Sequence, residues 1–375
     1  MSSLTDTSVT QLPCPTLAQL EAEGAPEEKA LFRQLDAVAE TRDIHLPLLD
    51  ELLHLPKGRV VQYLHAKARA CTEKVYGDRI FLRALIEISS YCKNDCFYCG
   101  IRRSNTTLAR YRMEEGTILD CCAEGYAHGM RTFVLQSGED AWWTDERLCR
   151  IVDTLHRRHP DCAITLSLGE RSRESYRRLF EAGASRYLLR HETADAAHYA
   201  RLHPAEMSYE HRMQCLQDLK EIGYQVGCGF MVGSPGQSPQ TLWQDLQFIR
   251  RFQPHMVGIG PFVATQQTPF AGEPNGSVED CLRLLSLIRL LHPHVLLPAT
   301  TALGTLHPFG RELGVLAGAN VLMPNVSPVE NREKYHIYDN KICLDDGVDH
   351  CIDCLERRLQ SVGRRMVVDR GDFQV

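Results

Sequence analysis

Residues 81–99 read Phe-Leu-Arg-Ala-Leu-Ile-Glu-Ile-Ser-Ser-Tyr-Cys-Lys-Asn-Asp-Cys-Phe-Tyr-Cys, an apolar run that leads into three closely spaced cysteines. The run Phe81–Ile88 has the length and the apolar character of a buried strand. Seven further runs of this kind follow, and stretches of helical periodicity separate them. They are Thr132–Gln136, Ala163–Leu168, Arg186–Arg190, Tyr224–Val232, Met256–Gly260, Val295–Ala299 and Asn320–Met323.

This alternation of strands and helices predicts an α/β fold with a parallel sheet. Eight such units close most naturally into a (β/α)8 TIM-type barrel, with a partial barrel or an open doubly wound sheet as the alternatives. Before the barrel, the period of the apolar residues is helical. The predicted segments are a mobile N-terminal tail (residues 1–24), N-terminal helices (25–76), the barrel (77–330) and a C-terminal extension (331–375).

The composition excludes several classes of protein. The chain has 375 residues, of which 43% are hydrophobic and 24% charged, as in globular proteins. Its 42 basic and 48 acidic residues give a net charge of −6, which does not favour binding to nucleic acid. No apolar run approaches the roughly 20 residues that span a membrane, and Met1–Leu20 lacks the features of a secretory signal. We expect a cytoplasmic protein without membrane or nucleic-acid partners.

The chain has 15 cysteines, which in a reducing compartment are core residues, metal ligands or nucleophiles. Cys92, Cys96 and Cys99 stand out because they have the spacing Cys-x3-Cys-x2-Cys directly after the first predicted strand. Three thiolates on one loop can hold three irons of a 4Fe–4S cluster, which leaves the fourth iron open to another molecule. A zinc site is the weaker alternative, because no fourth cysteine or histidine follows nearby.

A second group, Cys343, Cys351 and Cys354, lies beyond the barrel with the spacing Cys-x7-Cys-x2-Cys. By spacing alone it fits a second iron–sulfur cluster, a zinc site completed by a histidine such as His336, or thiols without a ligand. No fourth protein ligand is evident, so the spacing does not distinguish a 2Fe–2S from a 4Fe–4S cluster.

Polar residues and glycines follow the predicted strands, where barrel enzymes carry their active sites. Glu139, Glu170 and Glu192 place carboxylates after three successive strands. Solvated loops are also polar, but this repetition favours a functional site at that end of the barrel.

The motif Cys92-x3-Cys96-x-Tyr98-Cys99 resembles the signature of the radical S-adenosylmethionine (SAM) superfamily. Within that superfamily the chain is similar to the HydE-type maturases of iron-only hydrogenases, over roughly residues 27–365. Methylornithine synthase and biotin synthase are the related families. The blocks that carry the similarity are Cys99–Asn105, Gln136–Asp140, Tyr187–Ala194, Gly258–Phe262 and Pro298–Thr301.

The resemblance implies a 4Fe–4S cluster on Cys92, Cys96 and Cys99, and SAM on its open iron. It implies a second cluster on Cys343, Cys351 and Cys354, although many members lack this group. The implied contacts to SAM are Ser137, Gly138, Glu139, Ser167, Glu192 and Arg212. Thr300, Thr301 and Thr305 are expected to end the seventh strand and bind substrate, and Tyr335 and Tyr338 to line the cavity near the reactive end of SAM.

The implied reaction is reductive cleavage of SAM to a 5′-deoxyadenosyl radical during assembly of the di-iron cluster of iron-only hydrogenase. The expected partners are a small organometallic or sulfur-containing substrate, other hydrogenase maturases and a low-potential electron donor. The alternatives are a radical mutase or sulfur-insertion enzyme of the methylornithine synthase or biotin synthase type, and a non-catalytic iron–sulfur carrier or scaffold. A pure carrier would not need Glu139, Glu192 and Arg212.

Overall fold

The structure, a computed structural model, describes residue 12, residues 14–344 and residues 347–374. These residues form fifteen helices and eleven strands. The helices are α1 (Leu17–Glu23), α2 (Pro26–Thr41), α3 (Leu46–His54), α4 (Arg59–Tyr76), α5 (Glu115–Ala127), α6 (Asp145–Arg158), α7 (Arg173–Glu181), α8 (Ala196–Leu202), α9 (Tyr209–Ile222), α10 (Pro239–Phe252), α11 (Val278–Leu291), α12 (Thr301–Leu306), α13 (Gly310–Leu316), α14 (Val329–Arg332) and α15 (Val348–Gln360). The strands are β1 (Arg79–Leu82), β2 (Ala84–Ser89), β3 (Thr132–Ser137), β4 (Ala163–Ser167), β5 (Arg186–Leu188), β6 (Gln225–Cys228), β7 (Met231–Val232), β8 (Met256–Val257), β9 (Gly260–Pro261), β10 (Val321–Leu322) and β11 (Arg365–Val367).

Helix α1 lies inside the segment predicted as a mobile tail. Its first turn is closed by a capping box, in which Thr16 and Gln19 each accept a hydrogen bond from the other's backbone N–H. Leu20 is buried in the core. The prediction of a tail is therefore wrong for α1, because the cap and the buried leucine hold this helix in place. Residues 1–11 and 13 of the predicted tail lie outside the described residues.

The next three helices occupy residues 26–76 and pack on the outside of the barrel. Helix α4 packs against α11, and α3 packs against α10. The connection between α2 and α3 is fixed to α10 by the indole of Trp243, whose N–H donates to the carbonyl of Ile44 at 2.9 Å. These helices therefore cover one side of the barrel and leave the ends of its strands free.

The barrel begins as a parallel sheet in the order β2-β3-β4-β5-β6-β8. From β8 the pairing continues through single bridges, Met256 to Leu296 and Pro298 to Val321. Strand β10 then pairs with β1, parallel, with Phe81 opposite Val321. Since β1 and β2 are two halves of the first strand, the pairing returns to its starting point. The predicted eight-stranded barrel is confirmed, and the open sheet and the partial barrel are wrong.

The seventh predicted strand, Val295–Ala299, is not a regular strand but a segment held by bridges at Leu296 and Pro298. Pro298 has no backbone N–H, so the ladder is interrupted at that residue. The neighbouring N–H groups still pair: Leu296 donates to His255 at 3.0 Å, and Ala299 donates to Val321 at 3.0 Å. The segment therefore completes the ring without satisfying the geometry of a strand.

Side chains alternate along the strands between the helix layer and the interior of the barrel. In β3, Phe133 and Leu135 join the core under the helices, whereas Gln136 at the strand's end is only half-buried. Strand β4 repeats the pattern, with Ile164 and Leu166 in the core and Ser167 half-buried at its end. The interior is thus polar and accessible toward the C-terminal ends of the strands.

The opposite end of the barrel is closed by the C-terminal segment. Strand β11 pairs with β1, parallel, on the side away from β10. Beyond it, the Thr132 hydroxyl donates to the carbonyl of Arg370 at 2.8 Å, and the buried Arg186 pairs with Asp372 at 2.6 Å. Within the described residues, this segment leaves uncovered the mouth at the C-terminal ends of the strands. Among the described residues, no helix has both the length and the apolar character required to cross a membrane.

Candidate active site

The loop that carries Cys92, Cys96 and Cys99 follows β2 and lies over the mouth of the barrel. Three backbone bonds fix it: Lys93 donates to Glu139 at 2.9 Å, Phe97 to Leu202 at 3.0 Å, and Gly100 to Ile337 at 2.9 Å. The residue at position 100 must be glycine, since a Cβ there would lie 2.1 Å from the carbonyl oxygen of His336. The loop is therefore held between elements from distant parts of the chain.

The three thiols influence one another. Burial raises the pKa of Cys92, and it raises the pKa of Cys99 to about 12, with the charge of Cys92 as the next cause. The pKa of Cys96 is raised well above its usual value, first by burial and then by repulsion from Cys99 and Cys92. Nearby cations such as cluster irons would therefore be required to hold these side chains as thiolates.

Among the described residues, no group of three or more His, Cys, Asp and Glu side chains surrounds a point where one metal ion could bind. A cluster does not require such a group, because each cysteine binds a different iron. Three sulfur donors on one short loop, each within electrostatic reach of another, fit that requirement.

The residues after β3 pack directly on the cysteine loop. A Cβ at Gly138 would lie 2.4 Å from the carbonyl oxygen of Tyr91 and 2.7 Å from Cβ of Cys92, so only glycine fits there. Glu139 is buried beside the loop, 3.1 Å from Lys93, and it accepts a hydrogen bond from the backbone N–H of Glu170 at 2.8 Å. The structure thus brings the predicted Ser137-Gly138-Glu139 motif into contact with the predicted cluster loop.

Glu192 and Arg212, both buried, lie at the same mouth. Arg212 extends from α9, and its Nε lies 2.5 Å from Oε1 of Glu170, while Nη1 donates to the carbonyl of Arg190 at 2.9 Å. Oε2 of Glu192 lies 3.0 Å from Nη2 of Arg190, without the alignment of a hydrogen bond. Ser167 ends β4, half-buried. Glu170 was not among the predicted contacts, although its place after β4 signalled it.

The buried oxygens at this mouth that have no hydrogen-bond partner among the described residues include Oε2 of Glu139. Two more are Oε2 of Glu192 and the hydroxyl of Tyr199. Both groups, together with Arg212, are close enough to Cys96 to affect its electrostatics or to be affected by it. Since buried polar groups are normally paired, these orphaned oxygens fit a polar ligand that lies beside the cysteine loop.

Sequence reasoning also missed a contact of the aromatic residue in the cysteine motif. The Tyr98 hydroxyl lies 3.2 Å from Nε2 of His203, whose Nδ1 lies 3.0 Å from the carbonyl of Tyr199. A carbonyl only accepts, so Nδ1 carries the proton and Nε2 accepts from the tyrosine. His203 has no motif to mark it, since its partners are distant in the sequence.

The predicted substrate residues begin α12 instead of ending a strand, and this part of the prediction is wrong. Thr300 is the N-cap, and its hydroxyl oxygen is buried without a hydrogen-bond partner among the described residues. The Thr305 hydroxyl donates to the carbonyl of Thr301 at 3.1 Å, within the helix. The helix starts here because Thr300 adopts an extended conformation that suits an N-cap.

Tyr335 and Tyr338 lie in the segment after α14; Tyr335 is buried and Tyr338 is half-buried. Nε2 of Gln136 lies 3.4 Å from the Tyr335 hydroxyl, which links this segment to β3. Burial raises the pKa of both tyrosines. Sequence reasoning did not find the ion pair that fixes this segment, in which Lys341 lies 2.5 Å from Oε1 of the buried Glu87.

The second cysteine group comprises Cys343, which precedes α15, and two cysteines on α15 itself. Cys351 and Cys354 are one turn apart on α15, and Cys343 has a left-handed backbone with φ of 62°. The pKa of Cys351 is raised, first by a hydrogen bond with Cys343 and then by burial. Nη2 of Arg311 lies 3.2 Å from the Cys343 sulfur. Two of the three thiols therefore lie together, beside a cationic donor.

Comparison with known proteins agrees with this geometry. Residues 86–249 match the family model of the radical SAM superfamily. The [FeFe] hydrogenase maturase subunit HydE of Thermotoga maritima is 40% identical over 339 residues, which cover 90% of this chain and 97% of that protein. The crystal structure of methylornithine synthase has a TM-score of 0.79 at 27% identity and covers 89% of this chain and 97% of its own.

The maturase HydG shares the fold, with a TM-score of 0.72 at 18% identity over 93% of this chain and 78% of its own. The predicted family and the predicted fold class are confirmed. Membership implies a 4Fe–4S cluster and SAM as cofactors, to which the residues at the barrel mouth are suited. The chain belongs to the HydE family of the radical SAM superfamily and is a radical SAM enzyme.

Proposed function

We propose that this enzyme cleaves SAM reductively at the barrel mouth and acts in the assembly of the di-iron cluster of [FeFe] hydrogenase. The observation that carries the proposal is the contact between Gly138 and the loop of Cys92. A Cβ on Gly138 would overlap Tyr91 and Cys92 of that loop. This contact supports the proposal, because Gly138 is one of the proposed SAM contacts and Cys92 is one of the proposed cluster ligands. The 40% identity to HydE supports the maturase role.

When bound, a 4Fe–4S cluster with one iron free of protein ligands supplies the electron that splits SAM into methionine and a 5′-deoxyadenosyl radical. The residues of the chain orient the substrate of that step. Arg212 suits the methionine carboxylate, because a guanidinium offers paired N–H donors. Backbone groups of Ser137 and Gly138, with the carboxylate of Glu139, suit the ammonium group. Glu192 and Ser167 suit the ribose hydroxyls.

The interior of the barrel would hold the second substrate. In the part of the chain that the structure describes, the C-terminal segment covers the far end, and this cover favours exclusion of water from that side. Thr300, whose hydroxyl oxygen is orphaned, together with Thr301 and Thr305, is proposed to bind an anionic or sulfur-containing iron complex. Tyr335 and Tyr338 are proposed to line the space between this substrate and SAM and to bind it or relay a proton.

The test is anaerobic reconstitution with iron and sulfide, reduction with dithionite and SAM, and assay of 5′-deoxyadenosine. We expect product from the parent and none from Cys96→Ala. Cys122→Ala is the matched control, because Cys122 is a fully buried core cysteine on α5 that belongs to neither cysteine group, and it should retain product formation. A parent that binds a cluster yet forms no deoxyadenosine would support a carrier instead.

The maturase role is tested by activation of apo-hydrogenase together with the other maturases, which we propose as partners of this cytoplasmic enzyme. Omission of this chain should abolish hydrogen evolution, and adding back the parent should restore it. Cleavage of SAM without activation would favour the mutase or sulfur-insertion alternative. We propose that in the cell a low-potential electron-transfer protein supplies the electron that dithionite supplies in the assay.

We also propose that Cys343, Cys351 and Cys354 hold a second iron–sulfur cluster. The contact between Cys343 and Cys351 supports this site, and Arg311 offers an N–H donor to a cluster thiolate. Cys351→Ala should lower the iron content of the reconstituted protein while SAM cleavage persists, because the electron for that step is proposed to come from the cluster on Cys92, Cys96 and Cys99. Unchanged iron content relative to the Cys122→Ala control would rule out the second cluster.

A further inference from the structure

Glu192 has a strained backbone, with φ of 64° at a residue that is not glycine. Such a conformation is unfavourable for an L-residue and persists only where surrounding contacts impose it. We propose that His191 and Asp245 are positioning residues, which hold Glu192 in this conformation so that its carboxylate can contact SAM. The inference rests on the proposed role of Glu192 as a SAM contact.

The protonation of His191 follows from its neighbours. The backbone N–H of Gly229 points to Nδ1 at 3.2 Å, and an amide N–H can only donate. Nδ1 is therefore the acceptor, and the proton of the neutral ring lies on Nε2. That nitrogen faces Oδ1 of Asp245 at 3.3 Å and donates to it.

Asp245 accepts hydrogen bonds from the chain on both sides of Glu192. It lies on α10, and its Oδ1 accepts from His191 on one side and from the backbone N–H of Ala194, at 2.5 Å, on the other. His191 and Asp245 are both 0% exposed in their side chains, so water does not compete for these bonds. Burial raises the pKa of Asp245, and the hydrogen bond with His191 acts in the opposite direction.

The neighbouring strand supplies the remaining bonds. Gly229 accepts from the backbone N–H of Glu192 at 3.0 Å, while its own N–H is bound to His191. Gly229 has φ of 153°, and a Cβ there would lie 2.0 Å from the carbonyl oxygen of Gly258. Gly229 is thus itself held in place, and its N–H fixes the position of the His191 ring through their hydrogen bond.

The surroundings of His191 do not by themselves require a polar residue. Its ring lies between Phe230 and Phe248, with ring centroids 5.9 and 4.7 Å away. An apolar pair of similar volume in place of a buried histidine and aspartate is often neutral or stabilising. An apolar pair would form no directional hydrogen bonds, and the backbone conformation of Glu192 depends on such bonds. Glu192 in turn lies near enough to Tyr98 and Cys96 that its charge helps to raise the pKa of both, after burial.

The test measures the affinity for SAM of the cluster-reconstituted enzyme, from the change that SAM causes in the EPR spectrum of the reduced cluster. His191→Phe fills the space between the phenylalanines but removes both hydrogen bonds. We expect its Kd for SAM to rise about tenfold, and KM for SAM to rise more than kcat falls. The iron content should remain that of the parent.

Two conservative variants and one control separate positioning from general stability. His191→Gln and Asp245→Asn keep an acceptor for each backbone N–H, and we expect SAM affinities within about threefold of the parent. His255 makes the same kind of bond, accepting from the Val226 N–H at 3.0 Å at the far end of the barrel. His255→Phe should therefore lower the melting temperature without changing the Kd for SAM.

The inference would be overturned if His191→Phe bound SAM as the parent does while Glu192→Gln bound it more weakly. If His191→Phe does not fold, Asp245→Ala replaces it with the same expected result. A parent that fails to bind SAM, or a Glu192→Gln variant with unchanged affinity, would instead contradict the proposed SAM contacts. These outcomes distinguish a failure of the dyad from a failure of the proposed function.

Discussion

At the scale of single residues, the site depends on positions where side chains are excluded as much as on those that carry chemistry. Gly138 has an ordinary backbone conformation, so its role is steric. A Cβ there would lie 2.4 Å from the Tyr91 carbonyl oxygen and 2.7 Å from the Cys92 Cβ. Neither atom is the end of a flexible side chain, and the cysteine loop would have to move.

We therefore expect Gly138→Ala to impair the cysteine loop more than the fold. Overpacking of this kind costs about 1–3 kcal/mol, and the displaced loop should lower both iron content and deoxyadenosine formation. Gly116→Ala is the matched control, because no atom lies within 4 Å of a Cβ at that helical position. It should be neutral or slightly stabilising. Full iron content in Gly138→Ala would show that the loop adjusts without consequence.

At the scale of elements, the sequence contains most of the barrel but not its irregularities. The apolar runs predict the strands because each must be buried on both faces. The same apolar character at Val295–Ala299 hides the effect of Pro298, which leaves only bridges there. Helix α1 was missed because a capping box is a weak signal among the prolines before it, and burial of Leu20 depends on helices that the periodicity does not place.

The candidate site also has parts that the sequence predicts and parts that it does not. Cys92, Cys96 and Cys99 could be predicted because their spacing is local. The ion pair of Arg212 with Glu170 and the hydrogen bond of His191 with Asp245 join residues 42 and 54 positions apart. No periodicity records such a pairing, since it depends on how successive strands and helices are placed around the barrel. Resemblance to a family supplied Arg212, but it did not supply the residues that hold it.

At the scale of the whole molecule, the two ends of the barrel have different roles. The mouth carries the site, and the C-terminal residues close the other end through Arg186, whose side chain is 0% exposed, and Asp372. Arg83 lies beside this pair, also buried, and its pKa is lowered first by burial and then by Arg186. Two arginines so close together depend on the carboxylate of Asp372 for charge compensation.

We expect Asp372→Asn to destabilise the enzyme by about 1–3 kcal/mol at neutral pH, a value below that of a fully buried pair because Asp372 is partly exposed. Burial is the largest single influence and raises the pKa of Asp372, but the hydrogen bonds from Arg186 and Gln225 and the charges of Arg186 and Arg370 together outweigh it and keep the pKa below its usual range. A lowered carboxyl pKa stabilises the fold above the pKa of the unfolded chain, and this stabilisation is lost as the pH falls.

In urea unfolding, the parent and Asp372→Asn should differ in free energy of unfolding by a constant amount from pH 8 to about pH 4. Below about pH 4 this difference in free energy should become smaller. Asp153→Asn is the control, since Asp153 pairs on α6 with Arg157, both side chains are largely exposed, and the pair should contribute little. A difference that narrows between pH 8 and pH 6 would point to another titrating group. Cleavage of SAM by folded Asp372→Asn should match the parent, because the substitution lies at the end of the barrel opposite the cysteine loop.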